Sequence, residues 1–296
     1  MLRPIYLQPG DKVALISPAG VPKTDNIDYA VNLLRSWELI PVLSKHIYAR
    51  NGQLAGTDQE RLEDLQVMLD DDEIRSIWCT TGGYGTLRLV EEADYSTFQG
   101  NPKWIIGMDD ITILHAKLHF LGIESLHAFM PEDYSMTSPE AMTQLRNFLF
   151  GIISSYSIPA HPLNRTGFAE TEMVGGMLNW VHSLHDTSID HNTRGTILFI
   201  EEKADNIYDI DRSIQCLKYA GQLQHLQGLI VGEFAENENP GFTEEVYHLI
   251  RKAVEEYSYP VCFGFPAGHI RNNFPVILGA DTVLSVTPEN CEIRFT

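Results

Sequence analysis

Residues able to do chemistry together fall in separate stretches of this chain. In one, the apolar run Trp104-Ile105-Ile106 ends at Gly107 and Met108. Asp109 and Asp110 follow, then the helical pattern Ile111-Thr112-Ile113-Leu114-His115. That order predicts a strand, a tight turn and a helix. A side chain on such a turn stands at a helix N-terminus, where free N–H groups and the helix dipole favour negative charge. Nucleophile elbows use this architecture. In another stretch, Thr196-Ile197-Leu198-Phe199-Ile200 runs into Glu201 and Glu202; in a third, Phe265-Pro266-Ala267-Gly268 turns into His269. A turn residue, a histidine and a carboxylate fit the roles of a catalytic triad, which is recognised by roles and not by chain order. Asp109, Glu201 and His269 also compose a two-carboxylate, one-histidine metal set. Against that, a triad histidine faces opposite partners through its two nitrogens, whereas a metal needs ligand atoms that converge. Each residue has a plainer reading as well: Asp109 as a helix cap, Glu201 as a solvated strand end like Glu202, and His269 as a turn histidine satisfying a backbone group.

Short strands and helices must bring these residues together. In the first half, strands are expected at 12–17, 40–43, 74–79 and 104–106, with helices at 25–37, 57–69, 86–93 and 111–120. Thr57 or Asp58 is a cap for the second helix. This alternation indicates a parallel sheet covered on both faces. A further helix is expected at 138–150. Residues 151–166 are polar, carry two prolines and read as a connection. Beyond it come a helix after Gly175-Gly176, a strand at 196–200, a helix at 210–220, a strand at 228–231, a helix at 243–256, and strands at 261–263 and 282–286. The expected domains are 1–150, with the elbow, and 167–296, with Glu201 and His269. Gly82-Gly83-Tyr84-Gly85 lacks the Gly-Lys-Ser/Thr ending of a phosphate loop and reads as a tight turn.

Composition narrows the partners. The formal net charge is -19, from 40 acidic and 21 basic residues. Backbone binding to nucleic acid needs a basic surface, and anionic membranes attract basic segments, so both are disfavoured. The 44% hydrophobic fraction suffices for a globular core. Cys79, Cys216, Cys262 and Cys291 are widely spaced and form no Cys-x-x-Cys pair, so neither a zinc site nor a redox dithiol is suggested. The N-terminal residues lack the pattern of a signal peptide, and no apolar run reaches the ~18 to 20 residues of a membrane span. Cytoplasmic location is the expectation.

Other motifs are Pro9-Gly10-Asp11, Ser17-Pro18-Ala19-Gly20, Ala55-Gly56-Thr57-Asp58 and Asp211-Arg212. With the segments above, they make the chain resemble, over nearly its full length, the LD-carboxypeptidase family of serine peptidases, which includes microcin-immunity peptidases. The resemblance implies two α/β domains, the first a Rossmann- or flavodoxin-like parallel sheet, with the active site in the cleft between them. It implies that Glu201 orients the base His269 and that backbone N–H groups near Gly83 and Asp110 form an oxyanion hole. It implies no metal or organic cofactor, and a homodimer. Family members cleave cell-wall peptides after meso-diaminopimelate or lysine and release D-alanine, so a short peptide with a free carboxylate is the implied partner.

The family's elbow reads Gly-Tyr-Ser-Asp, and its serine is the nucleophile. Here Asp109 takes the serine position and Met108 the aromatic one. Thr81 stands where the family has arginine, and Gly175-Gly176-Met177-Leu178-Asn179 where it has Gly-Gly-Asn-Leu-Ser. A carboxylate at a helix N-terminus is stabilised as an anion and loses basicity. Its attack on an amide would give a high-energy anhydride. Peptidase activity is therefore expected to be weak or lost; the alternative is a silent peptide-binding pseudoenzyme. Thr80, Thr81 and Thr112 are the hydroxyls near enough in sequence to replace the serine.

Overall fold

A computed structural model of the chain describes residues 1–152, 155–204, 206–235 and 241–296. Its first sheet collects β1 (Lys12–Ile16), β2 (Ile40–Leu43), β3 (Ile74–Cys79), β4 (Trp104–Gly107) and β5 (Ser125–His127), all parallel. Alternate side chains of a strand point to opposite faces. Val13 and Leu15 accordingly enter one core cluster, and Ala14 and Ile16 another. Burial on both faces explains why these strands read as nearly continuous apolar runs. The connecting helices are α1 (Thr24–Ser36), α2 (Asp58–Asp70), α3 (Ser96–Gly100) and α4 (Thr112–Phe120), with α5 (Pro139–Leu149) after β5.

Helix starts follow local chemistry. Thr57 Oγ1 accepts the Glu60 N–H at 3.3 Å while Glu60 Oε2 accepts the Thr57 N–H at 2.8 Å, a reciprocal capping box that starts α2. Ser138 caps α5 through the Ala141 N–H, and Pro139 occupies the first turn, where its missing N–H costs nothing. The helix expected at 86–93 is only a tight turn, Thr86–Arg88. The adjacent Leu89 and Val90 are both buried, so core packing overrides helical propensity there.

The second half contributes β6 (Ser155–Pro159), β7 (Gly167–Met177), α6 (Leu178–Ser183), β8 (Ile197–Lys203), α7 (Ile207–Tyr219), β9 (Gly228–Ala235) and α8 (Phe242–Ala253). It continues with β10 (Val261–Phe263), β11 (Val276–Leu278), β12 (Asp281–Val286) and β13 (Asn290–Phe295). The second sheet has the order β10-β9-β8-β7-β12-β13-β6, parallel from β10 to β7 and antiparallel beyond. β5, β6, β7, β11 and β13 were not among the expected strands, and two of these placements change the expected layout of the halves. Residues 155–159, read as part of a connection, form edge strand β6 against β13; residues 153 and 154 of that connection lie outside the described residues. β11 leaves the second half and pairs antiparallel with β5, so the first sheet has the order β11-β5-β4-β3-β1-β2. One core cluster then runs continuously from Val13, Trp78 and Ile106 to Phe199, Ile230 and Leu284.

The halves also meet behind the elbow. Thr112, at the start of α4, accepts the Met177 N–H at 3.2 Å. The helix expected after Gly175-Gly176 is α6, and the two glycines lie near the end of β7, just before Met177. Gly176 has φ +135°, and a Cβ there would lie 2.8 Å from Thr112 Cγ2. Gly122 has φ +75° but open space around it. Gly176→Ala should therefore cost about 2 kcal/mol or more, combining backbone strain with overlap, whereas Gly122→Ala should cost about 1 kcal/mol from strain alone. Urea denaturation of both variants checks the difference; equal losses would mean that the contact with Thr112 yields freely.

Candidate active site

The elbow forms as its sequence predicts. β4 ends at Gly107, Met108 is extended, and Asp109 takes φ +56° before a tight helical turn leads into α4. Left-handed backbone costs a non-glycine residue about 1–2 kcal/mol, and aspartate is among the residues that tolerate it. The strained turn lifts the Asp109 side chain toward the Gly82-Gly83 turn. There the Gly83 N–H donates to Asp109 Oδ2 at 2.5 Å. A Cβ on Gly82 would overlap that carboxylate, so this approach requires glycine. Gly83, expected as an oxyanion-hole donor, thus already holds an anion supplied by the chain. The neighbouring Asp110 side chain points inward, where Oδ2 accepts the Thr86 N–H at 2.8 Å. Burial pushes its carboxyl up to about 6 despite that bond.

Glu201 lies in β8 at a register shift against β9, between Ile200 and Glu202. Its side chain is fully buried, and Oε2 meets His269 Nδ1 at 2.9 Å. His269 follows Gly268, whose N–H donates to Asn273 Oδ1 at 3.0 Å and fixes the turn. Burial pulls the His269 pKa down. The charge and hydrogen bond of Glu201, with the charges of Asp109 and Asp133, outweigh that pull and raise it to about 9. These anions favour the protonated form of His269.

Asp109 and His269 line one cleft of about 500 Å³ between the halves, with Gly83, Glu132 and Asp133 on one wall and Met177 and Lys203 on the other. Glu132 and Asp133 were not among the residues expected from sequence. Glu132 Oε1 accepts the Gly82 N–H at 2.6 Å, and Asp133 Oδ2 the Met130 N–H at 3.2 Å. Although Glu132 faces the cleft, crowding by the surrounding protein, then the charges of Asp133 and Asp109, push its carboxyl upward. A signal for them existed: an acidic pair shortly after a strand, the same signature as Asp109-Asp110 and Glu201-Glu202. Open α/β sheets place their sites beyond the carboxyl ends of strands. Glu202 is buried beside Glu201 and accepts the Asn179 N–H at 2.8 Å; burial, then Glu201, raises it to about 8.

The three threonines near the elbow, Thr80, Thr81 and Thr112, are each engaged elsewhere. Thr80 is buried against Ser17, Thr112 is buried and bonded to Met177, and Thr81 donates to the Gly20 carbonyl at 2.7 Å. Among the described residues, no group of three or more His, Cys, Asp or Glu side chains is placed to hold a metal ion. No described helix is long and apolar enough to cross a membrane. All four cysteines are free thiols.

Comparison with known proteins agrees with this architecture. The LD-carboxypeptidase N-terminal domain matches residues 13–128, and the LD-carboxypeptidase C-terminal domain matches residues 170–284. A Bacillus subtilis protein named "Probable murein peptide carboxypeptidase" is 32% identical, covering 99% of this chain and 94% of its own. The murein tetrapeptide carboxypeptidase of Pseudomonas aeruginosa is 27% identical, covering 94% of each chain. In fold, the crystal structure of an MccF-like protein from Bacillus anthracis superposes with a TM-score of 0.88 over the whole of both chains, at 21% identity. Two matched domains in the family's order, and a relative spanning the full length, establish that this chain belongs to the LD-carboxypeptidase family.

Proposed function

We propose that this protein binds short murein-type peptides with a free carboxylate in its interdomain cleft, and that its peptide hydrolysis is weak or lost. The observation that carries this reading is the bond from the Gly83 N–H to the Asp109 carboxylate. In a serine peptidase that donor stabilises the oxyanion of the tetrahedral intermediate, and one such donor is worth about 3–4 kcal/mol. Here a fixed anion occupies it, and the same anion would repel a developing oxyanion. The elbow offers no hydroxyl to attack a carbonyl. The base is compromised too, since the protonated form of His269 has no lone pair to accept a proton. Loss of a triad nucleophile leaves only residual catalysis.

The names of the relatives support murein peptides as the ligand class. The cleft chemistry suits such a ligand: Lys203 and the His269 imidazolium can receive a terminal carboxylate, while Glu132 and Asp133 can receive the amine of a diaminopimelate or lysine side chain. Release of D-alanine from an L,D-tetrapeptide is the reaction of which this site is a modified form. A homodimer belongs to the same reading and rests on the family resemblance, whereas the cytoplasmic expectation rests on the widely spaced cysteines and the absence of an apolar membrane span.

Labelling tests the nucleophile. A serine-directed phosphonate should leave the wild-type protein unmodified and should label Asp109→Ser at residue 109. Stoichiometric labelling of the wild type at any residue would place a nucleophile elsewhere and reject the reading.

Titration tests the electrostatics. His269 should titrate near 9 in the wild type, and Asp109→Ser should lower that midpoint by removing one of its anions. The same variant should gain L,D-tetrapeptide turnover, small in size because Thr81 and Met177 remain. Its rate should climb with pH through the lowered midpoint, since only neutral histidine acts as the base. NMR of the histidine and a release assay for D-alanine measure both. Wild-type turnover equal to that of active family enzymes, or an unchanged His269 midpoint in Asp109→Ser, would sink the account.

A further inference from the structure

His127 ends β5 and is fully buried. Neither of its ring nitrogens has a hydrogen-bond partner among the described residues, and neither does Glu201 Oε1. These atoms face one another, with His127 Nε2 lying 4.0 Å from Glu201 Oε1. The other oxygen of that carboxylate takes His269 Nδ1 at 2.9 Å. Glu201 thus stands between two imidazoles, one lining the cleft and one sealed behind it. Because β5 and β8 belong to different sheets, the contact crosses between the halves.

Packing restricts what His127 can do. Phe199 meets its ring edge-on at a centroid distance of 5.1 Å, and His115 lies at 6.2 Å. His115 is already committed, with Nε2 at 2.9 Å from the Gly107 carbonyl and Nδ1 at 2.8 Å from Ser125 Oγ. Burial, then the charges of His115 and His269, hold the His127 pKa well below its ordinary value. A neutral ring carries a single N–H donor. At 4.0 Å the two orphan atoms are beyond hydrogen-bond length, but leaving both unpaired in a dry interior is unfavourable, and a small closure relieves both.

We propose that His127 is a positioning residue: it presents its Nε2–H to Oε1 of Glu201, keeping the other oxygen aimed at His269 and tempering the field that Glu201 exerts there. The positive end of that donor supports the ionised carboxylate and disfavours an added proton on the Glu201–His269 pair. Without it, the deprotonated pair loses support and its titration midpoint moves up. The remaining titratable groups around His269 are Asp109, Glu132 and Asp133 across the cleft, Glu202 beside Glu201, and Lys203, none of which a substitution at residue 127 removes.

The role builds on the same Glu201–His269 pairing as the proposed function. Its readout, however, is the titration of the pair and not turnover or peptide affinity, so the two can fail separately. The experiment is nitrogen-15 NMR of the histidines in the full chain, for wild type, His127→Gln and His127→Phe. In the wild type, His127 should be neutral and protonated at Nε2. Glutamine retains an N–H donor, and phenylalanine retains only ring volume. The His269 midpoint should rise by roughly half a unit or more in His127→Phe and stay within about 0.2 unit of wild type in His127→Gln. An Nδ1–H tautomer in the wild type overturns the role even if His127→Phe does not fold. Equal shifts in both variants, or no shift in His127→Phe, overturn it as well.

Discussion

Asp109, Asp110, Glu132, Asp133, Glu201 and Glu202 crowd the strand ends beside one cleft, and burial of most of them, more than their mutual repulsion, sets what nearby groups must do. Backbone N–H groups answer most of them: Gly83 for Asp109, Thr86 for Asp110, Gly82 for Glu132, Met130 for Asp133 and Asn179 for Glu202. Backbone donors hold anions with little reorganisation, because the fold has already fixed them. The Gly82-Gly83 turn is therefore an anion cradle that serves two side chains at once, and no side chain at Gly82 would leave room for the second. Glu201 is the exception. Its partner is an imidazole, so its charge is answered by a charge, and the pair behaves electrostatically as a unit.

That arrangement demands rigidity across the cleft. The carboxylates come from both halves, and small shifts would bring like charges together. The shared core cluster, the Thr112–Met177 bond and the β5–β11 pairing fix the two sheets relative to one another. Substitution of one charged group in such a cluster is felt by the others. The aspartate at the elbow is a cradle-bound anion that raises Glu132 and favours the protonated form of His269.

The positions of the candidate residues were legible wherever a local pattern encodes them. The elbow at Asp109, the strand end at Glu201 and the turn at His269 each have a signature a few residues long, and the Thr57 cap has one too. Glu132 and Asp133 had a comparable signature, obscured because Pro131 and the short β5 do not read as a strand followed by a turn. His127 could not be singled out, since a histidine inside Ser125-Leu126-His127-Ala128-Phe129 reads as one polar interruption of a core run, and only the second sheet brings Glu201 to it. β5, β7 and β13 were not expected as strands either, and β6 and β11 were missed for a related reason. Each is short, and β11 is strand only because β5, about 150 positions earlier in the chain, offers an edge. Propensity cannot report a partner that distant.

The position of β11 has a bearing on how the chain reaches this state. The loop carrying His269 runs from β10, in the second sheet, to β11, in the first. Until residues 276–278 emerge during synthesis, β5 remains an unpaired edge strand, the kind of surface that templates aggregation. The N-terminal half therefore cannot finish as an independent unit ahead of its successor, and its last pairing carries one of the highest loop-closure costs in the molecule. Because the His269 loop joins β10 to β11, the pairing that closes that edge also fixes one end of the loop. The imidazole–carboxylate pair is thereby tied to the β5–β11 pairing, so chains with that sheet edge still open would lack the assembled cleft.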